Sequence, residues 1–357
     1  MTLKAPFPWF GGKSRVADQV WAALGDVRNY VEPFAGSLAT LLMRPPDHEG
    51  GAETVNDRDR YLANFWRAVQ ADPDAVAHAA DWPVNECDLT ARHVWLVSEG
   101  RRALERMDAD PEFFDAKIAG WWVWGQCAWI GSGWCAGTGP WTVEDGQLVR
   151  GDAGRGINRQ LPHLGDAGRG INRQLPHLGN AGRGINRQLP HLGNAGQGIN
   201  RKLPHLGNAG QGIAAYMQQL ADRLRRVRVC CGDWSRVVTD GAMKHGATVG
   251  VFLDPPYLGS VRTTDLYASD DHDVANDVRE WALAHGNDPR MRIVLAGYEG
   301  EHDMPATWRV VGYSGKKAYG SHAGGGVNAD NRHKERLWFS PHCLVPVAAA
   351  ERQQVLA

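Results

Sequence analysis

Apolar and polar positions follow two periodicities along this chain, and the pattern predicts helices and short strands in turn. In the first 70 residues it predicts helices over 15–24, 38–43 and 60–70, with strands near 30–31 and ending at 54–57. From residue 214 it predicts helices over 215–226 and 274–285, with strands over 227–231, 249–253, 292–296 and 335–340. Short apolar runs between helices are typical of buried parallel strands, so we predict an α/β fold with a doubly wound sheet.

The pattern changes between these two parts. Residues 72–130 are predicted to be mostly helical, with Thr90 as the N-cap of an amphipathic helix over 91–107. A tryptophan-rich run over 121–129 is predicted to be a packed helix. We therefore predict one domain formed by residues 1–71 and 214–345, interrupted by a helical segment over 72–150 and a repeat segment over 151–213, with a tail over 346–357.

The repeat segment consists of a 14-residue tandem repeat. Full copies begin at Gly151, Gly165, Gly179 and Gly193, and a half copy covers 207–213. The period is too short for the common helical solenoids. Each copy contains one proline and several glycines, so neither a helix nor a long strand can continue through it, and we predict stacked turns or a mobile loop.

Charge is unevenly distributed along the chain. The whole chain has a net charge of −1, whereas residues 151–206 carry seven arginines, one lysine and two aspartates, a net charge of +6 that leaves −7 on the remainder. A basic segment in an acidic protein is typical of contact with nucleic-acid phosphates, and a solvated linker without a function is the alternative. The predicted DNA-binding residues are Arg155, Arg159, Arg169, Arg173, Arg183, Arg187 and Arg201.

Cysteine spacing and hydropathy argue against several classes of protein. The six cysteines form no CxxC pair, so we expect neither a metal site nor a disulfide framework. The histidines that recur in the repeats would bind a metal only if the turns brought them together. The N-terminal residues lack the apolar segment of a signal peptide, and no run of 18 apolar residues predicts a membrane span.

The most informative residues follow the predicted strand over 249–253, and they are Asp254, Pro255, Pro256 and Tyr257. Open α/β sheets bind their ligands at the carboxyl ends of parallel strands. Each proline restricts φ and lacks an N–H, so the turn is rigid and a carbonyl can point at a ligand. The carboxylate and the carbonyl can both accept from an exocyclic amino group, and the tyrosine ring offers a face for a flipped base. A proline-stiffened strand end with a surface acid is the alternative.

Two glycine-containing turns offer backbone that a ligand can approach. In the first, Trp9 can cover an aromatic base or a sulfonium and Lys13 can meet a carboxylate, with Gly12 between them. The second turn, residues 32–37, joins a strand to the N-terminus of a helix, where a ligand can sit. It matches neither GxGxxG nor GxxxxGK, which counts against NAD and ATP as the main ligand.

Acids also follow two further strands. Asp57 can take ribose hydroxyls, cap the next helix, or do both. Asp233 can accept a hydrogen bond from an adenine amine while Trp234 packs against the ring. A turn acid beside a core tryptophan is an equally good interpretation of Asp233 taken alone.

Together, and in this order, these motifs resemble the adenine-specific DNA methyltransferases of the Dam type, the D12 class. The resemblance rests on residues 6–13, 32–37, 56–57, 232–233 and 254–257, and residues 331–341 are similar to the closing strand of that family. Leu38 stands where the family has a glycine. The chain contains no nuclease motif, which favours a solitary or phage-type methylase over a fused restriction enzyme.

The resemblance implies a seven-stranded, Rossmann-like core that uses S-adenosylmethionine, with a target-recognition region inserted at about residues 85–213. It implies that the cofactor is held by Trp9, Gly12, Lys13, Glu32, Phe34, Gly36, Asp57, Asp233 and Trp234. It implies that the target base in double-stranded DNA is held by Asp254, Pro255, Pro256 and Tyr257. The expected location is the cytoplasm, either bacterial or that of the host of a phage.

The expected reaction mechanism depends on the properties of the exocyclic amino group of adenine. The N6 lone pair of adenine is delocalised into the ring, and hydrogen bonds from N6–H to the Asp254 carboxylate and the Pro255 carbonyl would localise it for attack on the sulfonium methyl. No covalent enzyme intermediate is needed, so no cysteine nucleophile is expected. The base must first leave the duplex, at a cost of a few kcal/mol. Stacking on Tyr257, at about 1–3 kcal/mol, can offset much of that cost.

Other functions stay open at this point. Transfer to cytosine N4 uses the same amine chemistry, although the order of the motifs favours adenine. Methylation of RNA or of a protein glutamine is less favoured, because the glutamine enzymes usually carry asparagine where Asp254 stands. A methyltransferase-derived DNA-binding protein without turnover is the alternative from another class. Leu38 and the repeats favour that alternative, and the intact 254–257 segment with Lys13 argues against it.

Overall fold

The computed structural model describes most of the chain outside the repeat segment. The described residues are 3–9, 11–129, 134–135, 141–144, 147–150, 212–243, 248–256, 268–313 and 335–345. Tyr257 and the seven arginines predicted to bind DNA lie outside these residues. The predictions made for them therefore stay predictions.

A seven-stranded mixed sheet forms the centre of the fold. The described residues contain nine strands, of which seven belong to this sheet. The nine are β1 (Asn29–Glu32), β2 (Ala52–Asp57), β3 (Trp141–Glu144), β4 (Gln147–Arg150), β5 (Val227–Cys231), β6 (Val249–Leu253), β7 (Met291–Tyr298), β8 (Arg309–Tyr313) and β9 (Glu335–Phe339). β3 and β4 pair as a separate antiparallel hairpin, and the other strands form the sheet in the order β5-β2-β1-β6-β7-β9-β8. β9 runs antiparallel to β7 and β8, whereas β5, β2, β1, β6 and β7 pair in parallel. The predicted α/β class and seven strands are confirmed, and the sheet is consistent with a methyltransferase fold.

Ten α-helices lie within the described residues. They are α1 (Ala17–Leu24), α2 (Ala39–Leu42), α3 (Arg60–Ala71), α4 (Pro73–Ala80), α5 (Glu86–Trp95), α6 (Arg101–Leu104), α7 (Ala116–Ala128), α8 (Ile213–Leu224), α9 (Asp240–Met243) and α10 (Ala268–His285). A π-helical turn at Leu96–Gly100 continues α5 into α6, and 3₁₀ turns follow at Glu105–Asp108 and Trp234–Val237.

The prediction that Thr90 caps a helix is wrong. α5 begins at Glu86, so Thr90 lies inside it. The cap is Asn85, whose side-chain oxygen accepts a hydrogen bond from the backbone N–H of Asp88 at 2.8 Å. An asparagine in extended backbone satisfies this N–H at least as well as a threonine, and the acids of the first turn favour a helix start there.

Each face of the sheet carries its own hydrophobic cluster, because successive strand residues point to opposite faces. Tyr30 of β1 belongs to the first cluster, together with Phe65 of α3. Val31, the next residue, belongs to the second cluster, together with Val278 of α10. Helices therefore cover both faces, which explains why β1 and β6 are buried along their whole length.

The tryptophan-rich run forms α7 and is packed, as predicted. Trp122 and Trp124 are almost fully buried, and the ring of Trp122 lies 5.1 Å from that of Phe7. The guanidinium carbon of Arg92 lies 4.3 Å from the centroid of the Trp124 ring and 4.9 Å from that of Trp121. These cation–π contacts join α5 to α7, and Trp122 joins α7 to the first cluster.

No helix in the described part of the chain has the length and apolar character that a bilayer span requires. Within the same part, no three side chains of His, Cys, Asp or Glu form a group that could hold a metal ion.

Candidate active site at the carboxyl edge of the sheet

Four neighbouring strands bring the predicted site residues to one edge of the sheet. β1 ends at Glu32, β2 ends at Asp57, β5 is followed by Asp233, and β6 is followed by Asp254. These strands are adjacent and parallel, in the order β5-β2-β1-β6, so their carboxyl ends lie side by side. The sheet thus collects four acids whose positions in the sequence are far apart.

An ion pair joins the first glycine turn to the end of β6. The Lys13 ammonium lies 2.8 Å from Oδ1 of Asp254, with side chains that are 9% and 18% exposed. The same ammonium donates to the carbonyl of Gly11 at 3.1 Å. The Lys13 carbonyl accepts from the N–H groups of Val16 and Ala17, which fixes the lysine at the start of α1. The carboxylate that Lys13 meets is therefore Asp254.

Both backbone polar groups of Gly36 make hydrogen bonds to side chains. Its N–H donates to Oδ2 of Asp57 at 2.9 Å, and its carbonyl accepts from Nε1 of Trp66 at 3.1 Å. Gly36 has a φ of 49°, and a Cβ there would lie 2.8 Å from Nε1 of Trp9, so only glycine fits. Gly12 lies beside the same group, since a Cβ on it would be 3.5 Å from the Trp9 carbonyl.

Asp57 links its own loop to the Gly36 turn. Oδ1 accepts from the N–H of Asp59 at 2.9 Å, while Oδ2 accepts from Gly36. Burial, and then the charge of Asp59, raise the pKa of the Asp57 carboxyl to about 6. The backbone N–H of Arg58 also hydrogen bonds to this carboxylate. A carboxylate has about four acceptor positions, so about one stays available for a ligand. The helix cap itself is Asp59, whose carboxylate accepts from Tyr61 and Leu62.

Leu38 adopts the backbone conformation that a glycine would have. Its φ and ψ are 54° and 25°, in the left-handed region, and its side chain is fully buried. That conformation costs a residue with a Cβ about 1–2 kcal/mol. Burying a leucine side chain contributes about 1.5–3 kcal/mol, which offsets the cost. The departure from the family pattern at this position therefore keeps a glycine-like turn.

Glu32 turns its carboxyl toward the interior. It is 3% exposed, and its Oε2 accepts from the hydroxyl of Tyr30 at 2.9 Å. The backbone N–H of Leu41 also hydrogen bonds to this carboxyl. Burial, opposed by the Tyr30 hydrogen bond and aided by the Asp254 charge, raises the pKa of Glu32 to about 8. Glu32 thus stands at the predicted position with its carboxyl directed at Tyr30 and α2.

Glu32→Gln is expected to change how stability depends on pH. With a folded-state pKa of about 8 and an ordinary value of 4.5, Glu32 binds its proton more tightly in the folded protein. The wild type should therefore lose stability from about pH 5 up to pH 8, by up to about 1.4 kcal/mol per pH unit, whereas the glutamine variant should not lose this contribution.

Urea unfolding of both proteins at half-unit steps of pH measures this difference. Other titrating groups, including Asp57, are common to both proteins and cancel in the comparison. Parallel stability curves for wild type and variant would show that Glu32 is ionised in the folded protein at neutral pH.

Phe34 and Trp234 form an aromatic wall beside Asp233. Their rings stack with centroids 6.0 Å apart and an angle of 29° between the planes. Trp234 is 9% exposed and also meets the edge of Trp281. Asp233 is exposed, and its Oδ1 caps the 3₁₀ turn by accepting from the N–H and the hydroxyl of Ser235. Trp234 belongs to the second hydrophobic cluster, as the interpretation of a turn acid beside a core tryptophan predicts, and contact of Asp233 with an adenine amine stays a prediction.

Three further residues of this edge carry no sequence signal strong enough to predict them as site residues. Asn56 donates from Nδ2 to the carbonyls of Pro33 and Gly232, at 3.0 Å each, and so ties two loops together. Its only signal is its position beside Asp57. Trp66 lies inside α3 without a motif of its own. Glu335 begins β9, which the sequence analysis treated as a closing strand and not as part of the site.

A separate groove of about 860 Å³ lies next to the edge strand β5. It runs between α3 and residues 107–114, and it includes Arg67, Arg228 and Arg236. None of the predicted cofactor residues lines it. Arg67 fills part of the exposed strand edge by donating to the carbonyl of Val229 at 2.9 Å.

Comparison with known families decides the class of protein. Residues 9–89 match the family model described as D12 class N6 adenine-specific DNA methyltransferase. The predicted resemblance is confirmed over this segment, and the family indicates an adenine-specific DNA methyltransferase whose substrate is DNA. A search of the curated proteins found no match.

The matched segment covers one side of the candidate site. It contains Trp9, Gly12, Lys13, Glu32, Phe34, Gly36 and Asp57. Asp233, Trp234 and the residues from Asp254 onward lie outside it. The ion pair of Lys13 with Asp254 and the stacking of Phe34 on Trp234 connect the two sides.

Proposed function

We propose that this protein transfers a methyl group from S-adenosylmethionine to N6 of an adenine that has been flipped out of a short duplex DNA site. The observation that carries the proposal is the ion pair between Lys13, in the matched family segment, and Asp254, at the end of β6. This contact supports the proposal that the family segment and Asp254 belong to one site. We further propose that the sheet is a Rossmann-like methyltransferase core and that its target-recognition region is inserted between β2 and β5.

The chemistry of the residues at this edge fits S-adenosylmethionine. The cofactor combines a cationic sulfonium, a ribose with hydroxyl groups and an adenine ring, and when bound it supplies an electrophilic methyl group. Asp57 has about one acceptor position left for a ribose hydroxyl. Asp233 can accept from an amine beside the wall of Phe34 and Trp234. The residues proposed to hold the cofactor are Trp9, Gly12, Lys13, Phe34, Gly36, Asp57, Asp233 and Trp234, with Glu32 supporting them from the interior through its hydrogen bond with Tyr30.

The residues after β6 act on the amine. Asp254 accepts one N6–H hydrogen bond and the Pro255 carbonyl accepts the other, so the nitrogen lone pair is localised and points at the methyl group. Pro256 restricts the backbone that follows Pro255, which helps to keep that carbonyl in one direction, and Tyr257 stacks on the base. The Lys13 ammonium orients the Asp254 carboxylate through its 2.8 Å contact with Oδ1.

The test is methyl transfer from tritiated S-adenosylmethionine to unmethylated DNA, followed by analysis of the methylated base. N6-methyladenine in the product supports the proposal. N4-methylcytosine would establish the alternative enzyme, and DNA binding without incorporation would establish the non-catalytic alternative. Methyl-sensitive sequencing of the same product reports the recognition site.

We also propose that the seven repeat arginines bind DNA phosphates. Deletion of two repeat copies, 28 residues, should weaken duplex binding and flatten its dependence on salt, by about 0.9 in the logarithmic slope for each phosphate that is no longer neutralised. A variant that keeps the length but replaces Arg155, Arg159, Arg169 and Arg173 by glutamine is the matched control, and it should flatten the slope equally. Fluorescence anisotropy over a series of salt concentrations measures both, and an unchanged slope would make the repeats a linker.

A further inference from the structure

Glu335 reaches the candidate site from the opposite direction to the other acids. β9 runs antiparallel to its neighbours, so its first residue lies at the edge where the parallel strands end. In the sheet, Glu335 is opposite Tyr298, the last residue of β7, and Tyr313, the last residue of β8. The reversed strand therefore adds a carboxylate to this edge from a segment far from the 254–257 turn in sequence.

The charged groups that face Glu335 are those of the candidate site. Its half-buried carboxylate interacts with Lys13, Asp254 and Arg15, and it accepts a hydrogen bond from the hydroxyl of Tyr313. Burial, followed by the charge of Lys13 in the opposite direction, raises the pKa of Glu335 above its ordinary value. The Lys13 ammonium thus contacts the Asp254 carboxylate at 2.8 Å and acts on the Glu335 carboxylate through its charge.

The charge of Glu335 affects how well Asp254 can accept a hydrogen bond. An ammonium that is held by Asp254 alone withdraws charge from both carboxylate oxygens and weakens them as acceptors. The negative charge of Glu335, at the same edge of the sheet, reduces that effect. Oδ2 of Asp254, which makes no hydrogen bond to the residues that the structure describes, would then be the stronger acceptor for the substrate amine.

We propose that Glu335 is a positioning residue of the methyl-transfer site, which acts through Lys13 to hold the Asp254 carboxylate ready for the target amine. The inference rests on the proposed function, because it assumes that Asp254 receives that amine. Glu335 itself touches neither the base nor the methyl group.

The test compares Glu335→Gln with Glu335→Asp and with a matched control. Glu335→Gln keeps the size of the side chain and removes the charge, so it is expected to lower kcat about tenfold and to leave the KM for cofactor and for DNA within about threefold of wild type. Glu335→Asp keeps the charge and should restore part of kcat. The control is Glu299→Gln, which removes an exposed carboxylate that pairs with Arg336, the neighbour of Glu335, and it should have wild-type kcat.

A double-mutant cycle tests whether the effect passes through Lys13. Adding Glu335→Gln to Lys13→Met should lower kcat no further than Lys13→Met alone. Wild-type kcat in Glu335→Gln would overturn the inference. So would a raised cofactor KM at unchanged kcat, a lowered melting temperature at unchanged kcat, or additive effects in the cycle.

Failure of the proposed function would look different. If Asp254→Ala still methylates DNA, the assignment of Asp254 fails, whatever Glu335 does. If Asp254→Ala is inactive and Glu335→Gln behaves as wild type, only the inference about Glu335 fails.

Discussion

Asp254→Ala is expected to reduce methyl transfer by about 10³-fold, because it removes the group that accepts from the reacting amine. Binding of the cofactor should change by less than about tenfold, since Asp254 is proposed to hold the base and not the cofactor. Single-turnover transfer of tritiated methyl groups measures the first quantity, and equilibrium dialysis of S-adenosylmethionine measures the second. Turnover within tenfold of wild type would contradict the function proposed for Asp254.

A loss of folding must be separated from a loss of chemistry in this variant. Removing Asp254 leaves the Lys13 ammonium, 8% exposed, without its 2.8 Å partner. Breaking a buried pair in this way costs about 3–5 kcal/mol, and the partial exposure of this pair predicts the lower end. The double variant Lys13→Met, Asp254→Ala removes both charges and should regain stability without regaining activity. Asp254→Asn, which keeps the shape, should also be inactive.

Glu53→Ala is expected to cause the largest loss of stability, about 3–5 kcal/mol, because it leaves two arginines without their buried partner. Arg44 donates to Oε1 of Glu53 at 3.0 Å, and Arg223 donates to both carboxylate oxygens at 2.7 and 2.9 Å. The Glu53 side chain is 10% exposed and that of Arg44 is 6% exposed. Since Arg223 lies in α8, the network attaches the first helix after the repeats to β2.

The control for Glu53→Ala is Glu49→Ala, which removes a carboxylate from an exposed ion pair. Glu49 pairs with Arg28 in an ion pair whose side chains are 69% and 51% exposed. Exposed pairs of this kind contribute up to about 1 kcal/mol, so Glu49→Ala should have a small effect. Urea unfolding followed by circular dichroism compares the two variants. Equal losses of stability in both would show that the Arg44 and Arg223 ion pairs contribute no more than a surface pair.

The strands that the sequence predicts best are those with the simplest pattern. β5 and β6 have the predicted bounds, 227–231 and 249–253, because each is a short β-branched and apolar run that ends at a turn. The pattern does not predict β8. Val310 is 54% exposed at the edge of the sheet and a glycine follows within the strand, so neither alternation nor a continuous apolar run is present. β8 exists because β9 pairs with it.

Local sequence also predicts the candidate site only in part. The types of residue and their positions after strands indicated the acids and the glycine turns, since both depend on local sequence. The direction in which each side chain points could not be predicted from local sequence. Glu32, the first acid of the predicted set, faces Tyr30 and α2, and Asp57 uses both oxygens on backbone N–H groups. Buried hydrogen bonds must be satisfied by whatever groups packing brings near, and local sequence does not specify those groups.

The sequence by itself determined the α/β class and the resemblance to D12 methyltransferases, because hydrophobic periodicity and short motifs are properties of neighbouring residues. The tertiary structure alone decided that Lys13 pairs with Asp254, that Leu38 takes a left-handed turn, and that Glu335 joins the same edge. These contacts depend on the order of the strands and on the reversed direction of β9. Both are set by packing of the whole chain, so no local segment encodes them.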